Sequence, residues 1–313
     1  MEKLVTVAIP AYNGEEFIKY AIESIIRQTY KVDEILIIDN KSTDKTVDIV
    51  KNVIKNNYDS NIRLLLNKEH CNYDINWNKC FENTTTKLLF ILHADDMLKP
   101  DTIEKQIQFF QEHPEVALVG GGEDIINEGG ELIIKKKSSK KTDIYKAGKI
   151  YEFVSNTGSY IPPSSVMFNM EKIRQVGFFD NDVMATDELY WPKVLSRFPI
   201  AIIGESLINR RHHKNQDEYS KFISKSNYVI EACYTQIKNI PKYEKCPKNR
   251  KKIIKLIKKK NARNGLRIAF TVLRKNQYKL FFKYFFFAIK QFPPVIFSKS
   301  FLRLIYHTIF SMK

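Results

Sequence analysis

Two hydrophobic rhythms alternate through the first 120 residues. Short apolar runs at 4–10, 34–39 (EILIID), 62–66, 88–92 (LLFIL) and 116–119 have the length and composition of buried strands. Between them, residues 15–27, 45–55 and 73–82 read as helices. In the first of these Phe17, Ala21, Ile22, Ile25 and Ile26 fall at helical spacing, on one face. Pro100 and Asp101 open another helix, with Ile103, Ile107 and Phe110 on one face. Ser42-Thr43-Asp44 offers capping side chains to the helix over 45–55, and Gly120-Gly121-Gly122 reads as the stop of the fifth strand. Strands alternating with helices predict βαβ units, hence an α/β fold with a Rossmann-like, mostly parallel sheet flanked by helices.

The second half is less regular. Residues 130–146 are basic and polar and read as a surface hairpin or loop. A strand is predicted at 164–169, a helix at 187–197, and short strands at 200–204 and 207–209. From about Phe222 the pattern is helical. The chain is therefore expected to divide into a body over 1–220, with halves of about 1–100 and 100–220, and a helical C-terminal extension over 221–313.

Charge sharpens that division. The net charge is +16, yet residues 242–313 hold 20 Lys and Arg against one acid, Glu244, while residues 1–241 hold 31 basic and 34 acidic residues. A nearly neutral body with a basic tail points to an anionic surface as the tail's partner, membrane or nucleic acid, or else to a solvated helical face. Lys275, Lys279, Lys283 and Lys290 fall near one helical face beside Phe281, Phe282, Tyr284, Phe285, Phe286 and Phe287; Lys299, Arg303 and His307 repeat the spacing further on. No stretch reaches the roughly 18–20 apolar residues that span a bilayer, so the tail is expected to lie in the membrane interface or to pack on the body. Cys71, Cys80, Cys233 and Cys246 form no C-x-x-C pair, which suggests neither a zinc site nor a disulfide framework. The N-terminus lacks a signal-peptide pattern, and a cytoplasmic location, peripheral on the inner face of the membrane, is expected.

In parallel sheets ligands bind beyond the carboxyl ends of the strands. Residues 10–13, 39–40 and 93–96 all fall at such ends, so three polar clusters should share one crevice. Asp95 and Asp96 there fit either a hard cation shared with phosphate oxygens or helix capping. Asp187-Glu188 at a helix start fits a cap or a general base. Arg210-Arg211-His212-His213 fits a diphosphate site or a basic surface cluster.

The run VAIPAYNGEEFIKYAIESIIRQTY followed by EILIIDNKSTDKT resembles the opening of glycosyltransferase family 2. The likeness continues in order through NWNKC (76–80), HADDMLKPD (93–101), PSSVMF (163–168), VGFFD (176–180), TDELYWPKVL (186–195) and RRHHKNQ (210–216). It implies a GT-A fold and inverting transfer of a sugar from a nucleoside diphosphate, with UDP the commonest carrier, to a hydroxyl of a glycan or lipid-linked acceptor. A role in cell-surface polysaccharide biosynthesis would follow. It also implies that Pro10, Tyr12 and Asp39 hold the base, that Asp95 lies near ribose or metal, and that Asp96 ligates a divalent Mn2+ or Mg2+. Asp187 matches the general base, and Arg210 and His212 match an R-x-H element at the diphosphate. Two positions depart from the family pattern: His93 stands where D-x-D begins, and Asn40 replaces the second acid of V-D-D.

Other readings have less to stand on. A nucleotidyltransferase would need a basic, glycine-rich loop after the first strand, and PAYNGEE is acidic with one glycine. A nucleic-acid-binding protein would fit the tail's charge, but no recognised motif accompanies it, and no nucleic acid is expected. A degenerate transferase that only binds nucleic acid or membrane is suggested by His93 and Asn40 and opposed by intact Asp96 and Asp187.

Overall fold

Every apolar run of the first half is a strand, and every amphipathic stretch a helix. The computed structural model describes residues 3–57, 59–136, 141–180, 186–214, 227–298, 301–302 and 304–306. The order is β1 (Val5–Ala11), α1 (Ile18–Ile26), β2 (Glu34–Asp39), α2 (Thr46–Asn56), β3 (Ile62–Leu66), α3 (Tyr73–Glu82), β4 (Leu88–Ile91), β5 (Met97–Leu98), α4 (Thr102–Glu112) and β6 (Leu118–Ile126). Then come β7 (Leu132–Ile134), β8 (Asp143–Tyr145), α5 (Ile150–Thr157), β9 (Met167–Asn169), α6 (Met170–Val176), α7 (Thr186–Leu195) and β10 (Ile200–Arg211). The last helices are α8 (Tyr228–Tyr243), α9 (Pro247–Leu273) and α10 (Tyr278–Gln291).

The described chain forms two units. The first holds Met1–Lys149, Tyr160–Asp182 and Tyr190–His213; the second holds Ile150–Ser159, Val183–Leu189 and Lys214–Lys313. Two short segments from within residues 1–220, 150–159 and 183–189, group with the helical tail.

In the first unit the sheet runs β3-β2-β1-β4-β9-β6-β10-β5, with β7 on β6 and β8 on β10. The β3-β2-β1-β4 half is parallel, as expected. Beyond β4, β9 lies antiparallel to both β4 and β6, and β10 runs parallel to β6, so this half is mixed. β1, β2 and β4 are apolar without alternation because both faces are covered. α1 buries Ile18, Ala21, Ile22 and Ile25 at helical spacing against that core.

Three local expectations are corrected. Gly120-Gly121-Gly122 does not end a strand; β6 runs through it to Ile126. A Cβ at Gly121 would lie 2.5 Å from the Leu207 side chain, and one at Gly120 would collide with Ile161. The predicted strands at 200–204 and 207–209 are one strand, β10, whose register slips between Ile202 and Ile208 opposite those glycines. Glycine here marks a bulge and a close approach, not a stop. Asp44 Oδ1 accepts from Thr46 N at 3.0 Å at the start of α2, the cap the sequence predicts, while Ser42 Oγ accepts from Asn13 N at 2.9 Å and Thr43 N donates to Asn13 Oδ1 at 2.9 Å. These residues tie the loop after β2 to the loop after β1, with Asn13 in the left-handed region at φ 48°. The 130–146 segment contributes β7 and β8, which pair with β6 and β10 and not with each other.

In the second unit α9 and α10 meet at Gly265. A Cβ there would stand 3.1 Å from the Phe287 ring, 3.3 Å from the Tyr284 carbonyl and 3.4 Å from Ala288 Cβ. Replacing Gly265 with Val is expected to cost about 1–3 kcal/mol by overpacking, read as a lowered thermal midpoint of the purified chain. Lys279, Lys283 and Lys290 lie on α10, and Lys275 precedes it. Lys299, Arg303 and His307, for which the basic spacing predicts a further helical face, lie outside the described residues, as do residues 215–226. No helix among the described residues is long and apolar enough to cross a membrane.

Candidate active site

The site assembles in the first unit where β1, β2 and β4 end together. Asp39 closes β2 and is buried. Its Oδ2 accepts from Ser42 N at 2.9 Å, while its Oδ1 is buried with no partner. An unsatisfied carboxylate oxygen is costly to bury and calls for an N–H donor from outside. Tyr12 follows β1, is half exposed, and lies 4.5 Å from His70, centroid to centroid. Pro10 sits in β1 opposite Ile38.

Asn40 explains its own departure from the family pattern. Its Nδ2 donates to the Cys71 carbonyl at 2.8 Å, and its Oδ1 accepts from Asn67 Nδ2 and Cys71 N, each at 3.0 Å. A carboxylate could not make the first of these bonds. Asn40 thereby holds the loop that carries His70, whose Nδ1 lies 3.1 Å from the Asn40 carbonyl.

Beyond β4, His93, Asp95 and Asp96 bring potential ligand atoms within 4.8 Å of one another. Asp96 is 1% exposed; its Oδ1 accepts from Arg211 N at 3.0 Å, and its Oδ2 lies 3.6 Å from His93 Nδ1. Burial first, then the adjacent Asp95 charge, push the Asp96 carboxyl well above its ordinary range. Asp95 Oδ2 pairs with His213 Nε2 at 3.0 Å. Two carboxylates and an imidazole sharing one partly desolvated corner are a donor set that fits a divalent cation.

The NWN motif supports this corner. Asn76 Oδ1 accepts from Asn67 at 2.9 Å. Trp77 is buried, with its ring 5.3 Å from that of His93. Asn78 clasps the Phe179 backbone through bonds of 2.9 and 3.0 Å. Tyr73 OH lies 3.1 Å from His93 Nε2, leaving Nδ1 turned toward Asp96.

β10 delivers the cationic run, and strand alternation sorts it. Arg210 is half exposed and pairs with Glu123 Oε2 at 3.2 Å; its charge favours ionised Asp96. His212 is exposed and extends the ladder through its N–H to the Ile126 carbonyl at 2.8 Å. The family resemblance assigns no role to the two residues on the other face. Arg211 is buried; its Nε donates to the Asp95 carbonyl at 3.1 Å, and its guanidinium stands 4.9 Å from the Phe17 ring centre. His213 is buried against Phe17 and bonded to Asp95. The period-two pattern of RRHH after an apolar strand was the signal available for this pair.

Asp187 belongs to the second unit, in the first turn of α7. Burial first, then the Glu188 charge, push its carboxyl up to about 6. A carboxylate poised there suits proton abstraction near neutral pH.

An exposed ring, an orphaned buried carboxylate oxygen and a metal-type acid cluster at the strand ends match the site expected of a GT-A glycosyltransferase. The chain belongs to glycosyl transferase family 2, whose pattern matches residues 6–176. An uncharacterized glycosyltransferase of Haemophilus influenzae is 28% identical over 68% of this chain and 67% of its own length. A putative teichuronic acid biosynthesis glycosyltransferase, TuaG of Bacillus subtilis, is 32% identical over 35% of this chain and 42% of its own length. Among solved structures, the mannosyltransferase PcManGT of Pyrobaculum calidifontis, in complex with GDP-Man and Mn2+, shares the fold with TM-score 0.59 at 15% identity, covering 100% of this chain and 89% of that one. TarS of S. aureus in complex with UDP-GlcNAc does so with TM-score 0.56 at 12% identity, covering 90% of each.

Proposed function

We propose that the protein transfers a sugar, with inversion, from a nucleoside-diphosphate sugar to a hydroxyl of a glycan or lipid-linked acceptor in cell-surface polysaccharide biosynthesis. The observation that carries this is the pairing, in one unit, of the partnerless Asp39 Oδ1 with the His93–Asp95–Asp96 cluster. Tyr12 stacks on the base, Pro10 shapes its seat, and Asp39 accepts a base N–H. Asp96, with His93 and Asp95 beside it, holds a divalent cation, Mn2+ or Mg2+. When bound, that ion acts as a Lewis acid on the diphosphate. Arg210 and His212 add positive charge at the diphosphate. Asp187 takes the proton of the acceptor hydroxyl as its oxygen attacks the anomeric carbon and the bond to the diphosphate oxygen breaks. One displacement with one base inverts the centre and leaves no sugar on the enzyme. UDP is the proposed carrier; TarS forms a complex with UDP-GlcNAc, and TuaG is a putative teichuronic acid biosynthesis glycosyltransferase.

A panel of nucleotide sugars tests this reading, scored by nucleoside-diphosphate release with and without Mn2+. One donor, with release abolished by EDTA, is expected; release from no donor in either condition would overturn it.

The tail is proposed to rest on an anionic membrane at the cytoplasmic face. On α10, Tyr278, Phe282 and Phe286 are exposed at four-residue spacing, with Phe286 62% exposed, among Lys279, Lys283 and Lys290. An amphipathic helix of aromatic residues and lysines suits an anionic interface. Sedimentation with phosphatidylglycerol vesicles is expected and should weaken at least fivefold in F282D/F286D. Binding to DNA with none to vesicles would favour the nucleic-acid reading.

A further inference from the structure

α7 carries an interior proline, Pro192, which has no N–H for the carbonyl four residues earlier. That carbonyl belongs to Glu188, the neighbour of Asp187. It is taken instead by Ser159 Oγ, which donates to it at 2.8 Å. Ser159 is set for this by two successive left-handed residues, Gly158 at φ 67° and Ser159 at φ 66°. The Glu188 side chain is held as tightly. Lys260 Nζ of α9 donates to its Oε2 at 2.7 Å and to the Gly158 carbonyl at 3.0 Å. Gln236 Nε2 of α8 donates to the same oxygen at 2.6 Å. Gly158, Ser159, Glu188, Gln236 and Lys260 all belong to the second unit.

We propose that Lys260, with Gln236 and Ser159, is a positioning residue for the sugar-transfer reaction: by clamping Glu188 it fixes the direction of the Asp187 carboxylate. Helices α8 and α9 thereby hold the neighbour of the proposed base. The inference rests on Asp187 being the base. Successive side chains on a helix differ by about 100° in direction, so holding Glu188 toward α8 and α9 commits Asp187 to a different side. The clamp has an electrostatic consequence of defined sign. Among the described residues, the charged groups acting on Asp187 are Glu188, in its own helix, which favours the protonated form, and Lys260, from α9, which favours the ionised form. Removing either charge should move the acid limb of the activity profile, and the two movements should be opposite.

The test uses the full chain with the donor found by the panel. Lys260→Met is expected to lower kcat on the order of tenfold, to leave donor KM within about twofold, and to move the acid limb upward. Lys260→Arg should restore most of kcat. Glu188→Gln keeps an oxygen acceptor for both donors but drops the charge, and it should move the acid limb downward. Opposite movements are a signature that loss of folding would not produce, and E188Q serves as the readout should K260M fail to fold. An unchanged kcat and acid limb in K260M, or shifts of the same sign in both variants, would overturn the inference while inactive D187N left the base assignment standing. Wild-type turnover in D187N would overturn both.

Discussion

Asp187→Asn should lower kcat by roughly 10²–10⁴, the range supplied by a positioned general base, with donor affinity little changed. The amide matches the carboxylate in size but cannot accept a proton from the acceptor hydroxyl. The wild-type profile should fall as pH drops through about 6, because protonation removes the base. The sign for stability is the reverse of the usual carboxylate case. A folded-state value raised above the ordinary one means the ionised side chain opposes folding. Its stabilising, protonated form is fully present below the unfolded value and lost as pH rises through about 6. Asp187→Asn should therefore melt no lower than wild type at pH 7.5. Lost turnover with retained melting would separate a chemical role from a structural one. Wild-type kcat in this variant would remove Asp187 from the mechanism.

Asp96→Asn is expected to abolish metal-stimulated turnover, a loss on the order of a hundredfold or more, corresponding to several kcal/mol of charge stabilisation. The substitution keeps an oxygen for the Arg211 N–H that Asp96 Oδ1 now accepts at 3.0 Å, so local structure should survive. It also relieves the burial of a charge beside Asp95. Titration of Mn2+ against turnover should show saturation in wild type and a flat baseline in the variant. A variant that saturates at the wild-type Mn2+ concentration would show that Asp96 is not the ligand. His93→Ala should raise the Mn2+ concentration needed without abolishing the response, since two carboxylates would remain.

Much of the site was legible because the relevant signals were local. EILIID ends on Asp39 as a buried strand must, and LLFIL breaks into the acid cluster. The strand ends then follow from βαβ geometry. What escaped reading depended on partners distant in sequence. Gly120–Gly122 read as a stop, because nothing nearby shows that Leu207 and Ile161 press on them. Arg211 and His213 read as part of a uniform basic run, since only the register of β10 separates the buried pair from the exposed Arg210 and His212. Asn40 read as a lost acid, and only the loop at Cys71 shows that its amide is needed. The grouping of 150–159 and 183–189 with the tail hangs on Lys260 and Gln236, 72 and 48 residues from Glu188. Pro192 was a local clue to that anchor, since its lack of an N–H required some other donor at the Glu188 carbonyl.

The most direct test of sugar transfer by a single displacement is the anomeric configuration of the first product formed. The enzyme, its donor and Mn2+ are followed by proton NMR from the earliest turnover, before mutarotation equilibrates any free sugar. An initial product of configuration opposite to the donor is expected, in step with nucleoside-diphosphate release. An initial product that retains the donor's configuration would contradict the single-base mechanism built on Asp187.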